Sequence, residues 1–124
     1  RYDFNTSINA AISASILDPT NNSIFLQLGL LKYNIKEFRG AVSALEKVIV
    51  LTPGDSNAKY YLGLAYEGAG EHQKAIAIFQ ELKTTNPENK DLSIILEKLF
   101  AGKSIFITAA LTASTTKPII KIKK

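Results

Sequence analysis

The sequence contains no cysteine and only one histidine among its 124 residues. Without cysteine there is no disulfide framework and no thiolate metal site, and the redox compartment is left open. No apolar run approaches the roughly 18 residues that a membrane-spanning helix needs. We find no nucleophile paired with a base, no glycine loop for phosphate and no cluster of metal ligands. The sequence therefore predicts a protein that is not an enzyme and that holds no cofactor and no metal.

Acidic side chains are missing from residues 103–124, which hold five lysines, whereas residues 1–102 hold ten basic and eleven acidic side chains. The net charge of +4 thus lies in the last part of the chain, and the body is near neutral. A neutral body argues against an electrostatic footprint for nucleic acid. We expect residues 117–124 to be a basic, disordered tail. In an alternative interpretation, the isoleucines of this tail bind in an apolar groove of a neighbouring molecule or lie on an anionic membrane.

Glycine and proline are few, but several of them recur at a fixed distance of thirty-four residues. The stretch 59–87 predicts two helices with a turn between them. Shifted by thirty-four residues, Gly63 falls on Gly29, Pro87 on Pro53, and Pro53 on Pro19. Glycine inside a helix costs about 1 kcal/mol relative to alanine. Its repetition predicts that the two helices of each pair cross closely at these positions.

A period of this length, with helix, turn and helix in each unit, indicates a solenoid. The sequence resembles the tetratricopeptide repeat family, whose pattern is W-x2-L-G-x2-Y, then A-x3-F, then P. Residues 59–87 read K-x2-L-G-x2-Y, A-x3-F and P, and residues 25–53 read F-x2-L-G-x2-K, A-x3-L and P. Lys59 replaces the first aromatic and Lys32 replaces the tyrosine, and both changes are expected to loosen local packing.

The resemblance implies an all-α fold, a right-handed superhelical solenoid of antiparallel helix pairs. We expect six helices, with a seventh over 104–116 left open because that stretch is rich in β-branched residues. One domain over 1–116 would contain a half repeat (4–17), two repeats (22–53 and 56–87) and a degenerate repeat (90–116). Since the chain begins with Arg1 in the second helix of a repeat, we expect a fragment of a larger protein.

In this family the first helices of successive repeats line the concave side, which usually binds a partner peptide. Helical spacing predicts an apolar groove there, with polar residues beside it. The members that clamp a C-terminal carboxylate have lysine, arginine and asparagine where this sequence has Leu26, Leu30 and Leu64, so we exclude that specificity. The predicted groove residues are Leu26, Leu30, Tyr33, Asn34, Asn57, Tyr60, Leu64, Glu67, Ile94 and Lys98.

Three functions compete at this point. The first is a non-catalytic protein interaction or scaffold module whose partner is a protein or peptide. The second is the extramembrane appendage of a membrane or cell-envelope protein for assembly or glycosyl transfer, so that a membrane is met only through the parent protein. The third is a nucleic-acid-binding helical repeat, which the neutral body disfavours.

The predicted groove residues have an alternative interpretation, in which they only pack against a missing repeat or against the tail. The end repeats or the tail could also mediate self-association. His72, which takes the place of Phe38 and Phe4, is predicted to be a packing residue.

Overall fold

The computed structural model describes residues 4–105, and within that range the chain forms six α-helices and no strand. The predicted all-α fold is confirmed. None of these helices is long and apolar enough to cross a membrane. The seventh helix and the tail that the sequence predicts fall on residues outside the described range, and the division into domains stays a prediction. The helices are α1 Phe4–Leu17, α2 Asn22–Asn34, α3 Phe38–Leu51, α4 Ser56–Gly68, α5 His72–Thr85 and α6 Lys90–Phe100.

Each helix packs against the next one along the chain, and α2 also contacts α4. This order produces two complete helix pairs, α2 with α3 and α4 with α5, flanked by α1 on one side and α6 on the other. The second helices of successive repeats are α1, α3 and α5, which begin at Phe4, Phe38 and His72, thirty-four residues apart. The chain is therefore a helical repeat solenoid with the predicted period.

The two repeated glycines lie where the helices of a pair approach most closely. A Cβ atom on Gly29 would lie 2.7 Å from Cγ of Leu45, and one on Gly63 would lie 2.6 Å from Cε2 of Phe79. Both distances are too short for carbon atoms in contact, because such contacts are optimal near 3.5–4.0 Å. The close crossing predicted from the sequence is confirmed in both repeats.

The core lies between successive helices. Ala41, Leu45 and Val48 of α3 and Phe79 of α5 are fully buried. Apolar residues recur in α3 and α5 at spacings of three and four residues, and this pattern predicts that these positions face inward. Each large apolar side chain buried in this way stabilises the fold by about 1.5–3 kcal/mol. The core thus holds together neighbouring pairs as well as the two helices within a pair.

Helical spacing predicts that Phe4, Ile8, Ala11, Ile12 and Leu17 of α1 face the next repeat. This prediction is wrong at one end. Ile8 and Ala11 are buried, but Ile12 is 38% exposed and Leu17 is 85% exposed. Leu17 follows Ile8 by nine residues, which at 3.6 residues per turn places it on the opposite side of the helix, about 180° away. Ile12 lies at the edge of the buried stripe. The face of α1 turned away from α2 therefore carries exposed apolar side chains.

The sequence predicts Asn22 or Ser23 as the cap of α2 and Asp55 or Ser56 as the cap of α4, because such side chains accept hydrogen bonds from free backbone amides. The structure agrees with this prediction only in part. Asp55 accepts a hydrogen bond at 3.0 Å from the N–H of Ala58 and so caps α4 as expected. The cap of α2 is Asn21, which accepts from the N–H of Ser23 at 3.0 Å, and not the predicted Asn22 or Ser23. Asn22 instead donates a hydrogen bond from its amide to the hydroxyl of Thr52, at the end of α3. This hydrogen bond links the start of α2 to the end of α3.

The turn after each first helix contains one residue with positive φ. Lys36 has φ 66° and Gly70, thirty-four residues later, has φ 86°. The third such residue, Gly102 with φ 74°, comes two residues earlier than the repeat requires. Accordingly α6 has 11 residues whereas α4 has 13. The thirty-four-residue register that holds from α1 to α5 therefore ends at Phe100.

Candidate partner-binding surface

The predicted groove residues lie on the three first helices of the repeats, α2, α4 and α6. We call their accessible side chains the first-helix surface. Asn34 and Asn57 are exposed, and Ile94 is 41% exposed. The partly exposed members are Leu26, Leu30, Tyr33, Tyr60, Glu67 and Lys98.

Leu64 is the one predicted groove residue that lies in the core. Its side chain is 2% exposed, and it belongs to the cluster that joins α4, α5 and α6 around Phe79 and Ile95. The side chain of Leu64 lies deeper in the core than helical spacing predicts, because it packs in the cluster that includes residues of α6. Leu64 supports the surface from beneath and is not available to a partner.

Three tyrosines from two helices meet at the centre of the surface. The ring centroids of Tyr33 and Tyr61 are 6.0 Å apart and those of Tyr60 and Tyr61 are 5.4 Å apart, both edge to face. We call Tyr33, Tyr60 and Tyr61 the tyrosine cluster. It rests on two deeper rings, because Phe38 lies 5.6 Å from Tyr33 and Phe79 lies 5.9 Å from Tyr60. Edge-to-face packing of this kind stabilises each pair by about 0.5–1.5 kcal/mol beyond burial.

Tyr61 was missed at the sequence level, although the signal was the adjacent pair Tyr60-Tyr61. Successive residues on a helix point about 100° apart, so only one of the two was assigned to the groove. The tyrosine ring is large enough to reach across that angle, so the ring of Tyr61 also joins the surface. Its neighbour Tyr33 reaches it from α2, which the sequence spacing could not indicate.

Burial raises the pKa of two phenol groups of the cluster. Burial, with smaller contributions from Tyr60 and Tyr61, raises the pKa of Tyr33 from 10.0 to about 12. Burial also raises the pKa of Tyr60, followed by the influence of Tyr61 and of the Asp91 carboxylate. The hydroxyl groups of Tyr33 and Tyr60 therefore stay protonated, and able to donate a hydrogen bond, to a higher pH than that of a solvent-exposed tyrosine.

The charged residues at the edge of the surface differ in their partners. Glu67 lies 3.0 Å from Nδ1 of His72, which is 38% exposed. The sequence predicts that His72 is a packing residue, but its partly exposed side chain makes a polar contact with the Glu67 carboxylate. Lys59 bonds to Glu81 on α5 at 2.6 Å and is only 14% exposed. The ammonium of Lys59 is thus engaged behind the surface.

Lys32, which stands where the family pattern has a tyrosine, packs against the neighbouring helix α3. The stem of Lys32 covers Gly40, whose Cβ would lie 2.9 Å from Cδ of Lys32. Thirty-four residues later the pair is exchanged, since Lys74 lies 5.7 Å from the ring centre of Tyr66. Tyr66 also donates a 2.6 Å hydrogen bond to Glu46. Burial, followed by that bond, raises the pKa of Tyr66.

A family model described as tetratricopeptide repeat matches residues 26–90. The match covers both complete helix pairs apart from the first turn of α2. Repeats of this family generally serve as non-catalytic protein interaction modules.

Solved structures with the same fold include MamA, a domain of Spaghetti and a domain of Arabidopsis OM64. A MamA crystal structure is 28% identical, with a TM-score of 0.75, and the match covers 86% of this chain and 63% of that one. The first repeat domain of Spaghetti, solved with the HSP90 peptide SRMEEVD, is 17% identical with a TM-score of 0.73, covering 80% and 79%. The Arabidopsis OM64 domain is 20% identical with a TM-score of 0.70, covering 77% and 79%.

At 17% and 20% identity the last two comparisons show the fold alone. The chain spans less than two thirds of that MamA structure. No curated protein matches the sequence.

Proposed function

The chain belongs to the tetratricopeptide repeat family, and on that premise we propose that it binds a partner peptide along the first-helix surface. The first helices of such a solenoid line the side on which partners are held. The Spaghetti domain of the same fold carries a peptide in its solved structure. The coarse function is protein interaction, and the peptide groove is the specific form that we propose.

The tyrosine cluster is the observation that carries the proposal. Its three rings are only partly buried, although each packs on the core. Tyrosine is enriched at protein interfaces, since it combines a large rigid contact area with a hydrogen-bonding hydroxyl. The accessible part of each ring can therefore meet a partner, and this supports the proposal.

Around the cluster the surface is mainly aliphatic. Leu26 and Leu30 of α2 lie on one side, and Ile94 of α6 lies on the other, each with part of its side chain accessible. Exposed Asn34 and Asn57 supply amide groups that can bond a peptide backbone. This chemistry suits apolar side chains on an extended or helical peptide.

The remaining hypotheses from the sequence receive less support. A phosphate backbone needs several cations, whereas the first-helix surface has one lysine, Lys98, and one acid, Glu67. Self-association through the ends stays a prediction, and so does the role as an appendage of a membrane protein. Neither has an observation among residues 4–105 that favours it over peptide binding.

A random peptide library displayed on phage tests the proposal. Peptides enriched on the wild-type protein are synthesised, and their affinities for variants are measured by fluorescence anisotropy. We expect Leu30→Asp and Tyr60→Ala to weaken binding at least about tenfold, as central contacts of an interface do. Circular dichroism confirms that each variant is folded.

Val50→Asp is the matched control, since Val50 is 73% exposed on the second helix α3. It introduces the same charge away from the first-helix surface and should leave the affinity unchanged. If no peptide is enriched, or if the selected peptides bind Leu30→Asp and Tyr60→Ala as tightly as the wild type, the groove assignment is wrong.

A further inference from the structure

The last residue of the described range lies in the core that supports the tyrosine cluster. Ile105 is fully buried, and it belongs to the core cluster that joins α4, α5 and α6 around Phe79 and Ile95. All three rings of the tyrosine cluster pack against this same core cluster. The chain therefore enters residues 106–124 from a point close to the surface that we assign to the partner peptide.

Residues 117–124 have the composition of a ligand for an apolar surface. They read KPIIKIKK and so contain three isoleucines, four lysines and no acid. In an extended peptide successive side chains point to opposite sides, so Ile120 and Ile122 share one side and Lys121 and Lys123 share the other. Such a peptide can bury its apolar side on the leucines and tyrosines of the first-helix surface while its lysines stay in water.

The connection between the core and this segment is long enough. Lys117 follows Ile105 by twelve positions. Twelve residues span about 18 Å as a helix and about 40 Å when extended. Helices that pack together lie about 8–10 Å apart. Residues 117–124 can therefore reach the tyrosine cluster on α4 from the end of α6, whichever conformation the connecting residues adopt.

Charge does not attract the lysines of the segment to this surface. The three first helices carry four lysines and three acids, which gives a net charge of +1. These residues are Lys32, Lys59, Glu67, Lys90, Asp91, Glu97 and Lys98. Glu67 is also paired with His72, and Lys59 with Glu81. The affinity must therefore come from the isoleucines, by burial of apolar area.

The covalent connection favours this segment over a free peptide. A tethered segment has an effective concentration of the order of 1 mM, so modest apolar contacts suffice to keep it bound for most of the time. A partner peptide must then displace the segment. Its apparent affinity falls in proportion to the fraction of molecules whose surface is open.

We infer that residues 117–124 bind to the first-helix surface of their own chain and compete there with the partner peptide. The inference rests on the proposed function and adds how access to the surface is regulated. Contact depends on the three isoleucines of the segment and not on its four lysines. The segment is thus an internal inhibitor that a partner with a stronger apolar side displaces.

Disulfide trapping tests the contact directly, because the sequence contains no cysteine of its own. Lys121→Cys is combined with Asn57→Cys, since Asn57 is exposed on α4, one turn before Tyr60. A disulfide requires Cα atoms within about 7 Å. Under air oxidation we expect a disulfide within one chain, seen as a faster-migrating monomer on a non-reducing gel. Lys121→Cys with Val50→Cys is the matched control, because Val50 is 73% exposed on the second helix α3.

The control pair should form a disulfide much more slowly than the Asn57 pair. Equal rates in the two pairs would overturn the inference, because they would show that the segment has no preferred site. A disulfide that links two chains into a dimer would also overturn it, since the segment would then occupy the surface of a second copy.

Peptide affinity tests the competition. For peptides selected on the wild-type protein, deletion of residues 117–124 should strengthen binding about tenfold, the factor expected if nine-tenths of the molecules are covered. Serine in place of the three isoleucines should have the same effect. Glutamine in place of the four lysines is the matched control and should leave the affinity at the wild-type value. Circular dichroism verifies that all three variants fold.

Unchanged affinity after the deletion, or a glutamine variant that behaves as the deletion does, would overturn the inference. The losses of affinity in Leu30→Asp and Tyr60→Ala would still support the proposed groove in that case. If no peptide binds either the wild type or the truncated protein, the proposed function fails, and the inference fails with it.

Discussion

Replacing Gly63 by alanine should destabilise the protein, although alanine is the better helix former. The added methyl group would lie 2.6 Å from Cε2 and Cζ of Phe79 and 2.9 Å from Cγ2 of Ile78. Phe79 is fully buried, so its ring cannot turn away into solvent. Helices α4 and α5 must therefore move apart, or the ring must leave its preferred rotamer.

Two opposing contributions decide the magnitude. Overpacking a dense core costs about 1–3 kcal/mol, and contacts with two ring atoms and a methyl group place this site at the upper end. Alanine in place of glycine recovers about 1 kcal/mol of helix propensity. We expect the free energy of unfolding to fall by about 2 kcal/mol. The cost should be smaller in a Phe79→Leu background, since the two sites are in contact and their effects do not add.

Urea denaturation followed by circular dichroism measures the effect. The midpoint should fall while the dependence of the free energy on urea stays unchanged. Gly40→Ala is the helical control, because its methyl group would meet only the flexible end of Lys32. That variant should be as stable as the wild type or more so. A Gly63→Ala protein of wild-type stability would refute the close-approach explanation for this glycine.

Two further predictions concern the turn between α2 and α3 and the tyrosine cluster. Lys36→Gly should raise the free energy of unfolding by about 0.5–1 kcal/mol, because Lys36 has φ 66° and glycine adopts that region without strain. Glu37→Gly, where φ is −88°, should show no such gain in the same urea experiment. Between pH 10 and 12 the stability should fall, since Tyr33 ionises near 10.0 when unfolded but near 12 when folded. Tyr33→Phe should show a shallower fall, and identical pH profiles of the two proteins would contradict this assignment.

Local patterns sufficed to predict the helices and their pairing. The recurrence of Gly29 and Gly63 indicated where two helices cross, and the distances to Leu45 and Phe79 confirm it. Such features depend on residues close in sequence, whose spacing along a helix is fixed by its geometry. The expectation for Leu17 was wrong, because a period of 3.6 residues places it on the side of α1 opposite Ile8, where it is exposed.

What the sequence determined by itself was the period, the helical class and the near neutrality of the body, because these follow from residue types and their spacing. Only the tertiary structure decided which side chains of the first helices remain accessible. Packing of α6 removed Leu64 from the surface, and the contact of α2 with α4 brought Tyr33 to Tyr61. Contacts between separate helices depend on their crossing angle and offset, which no local pattern specifies.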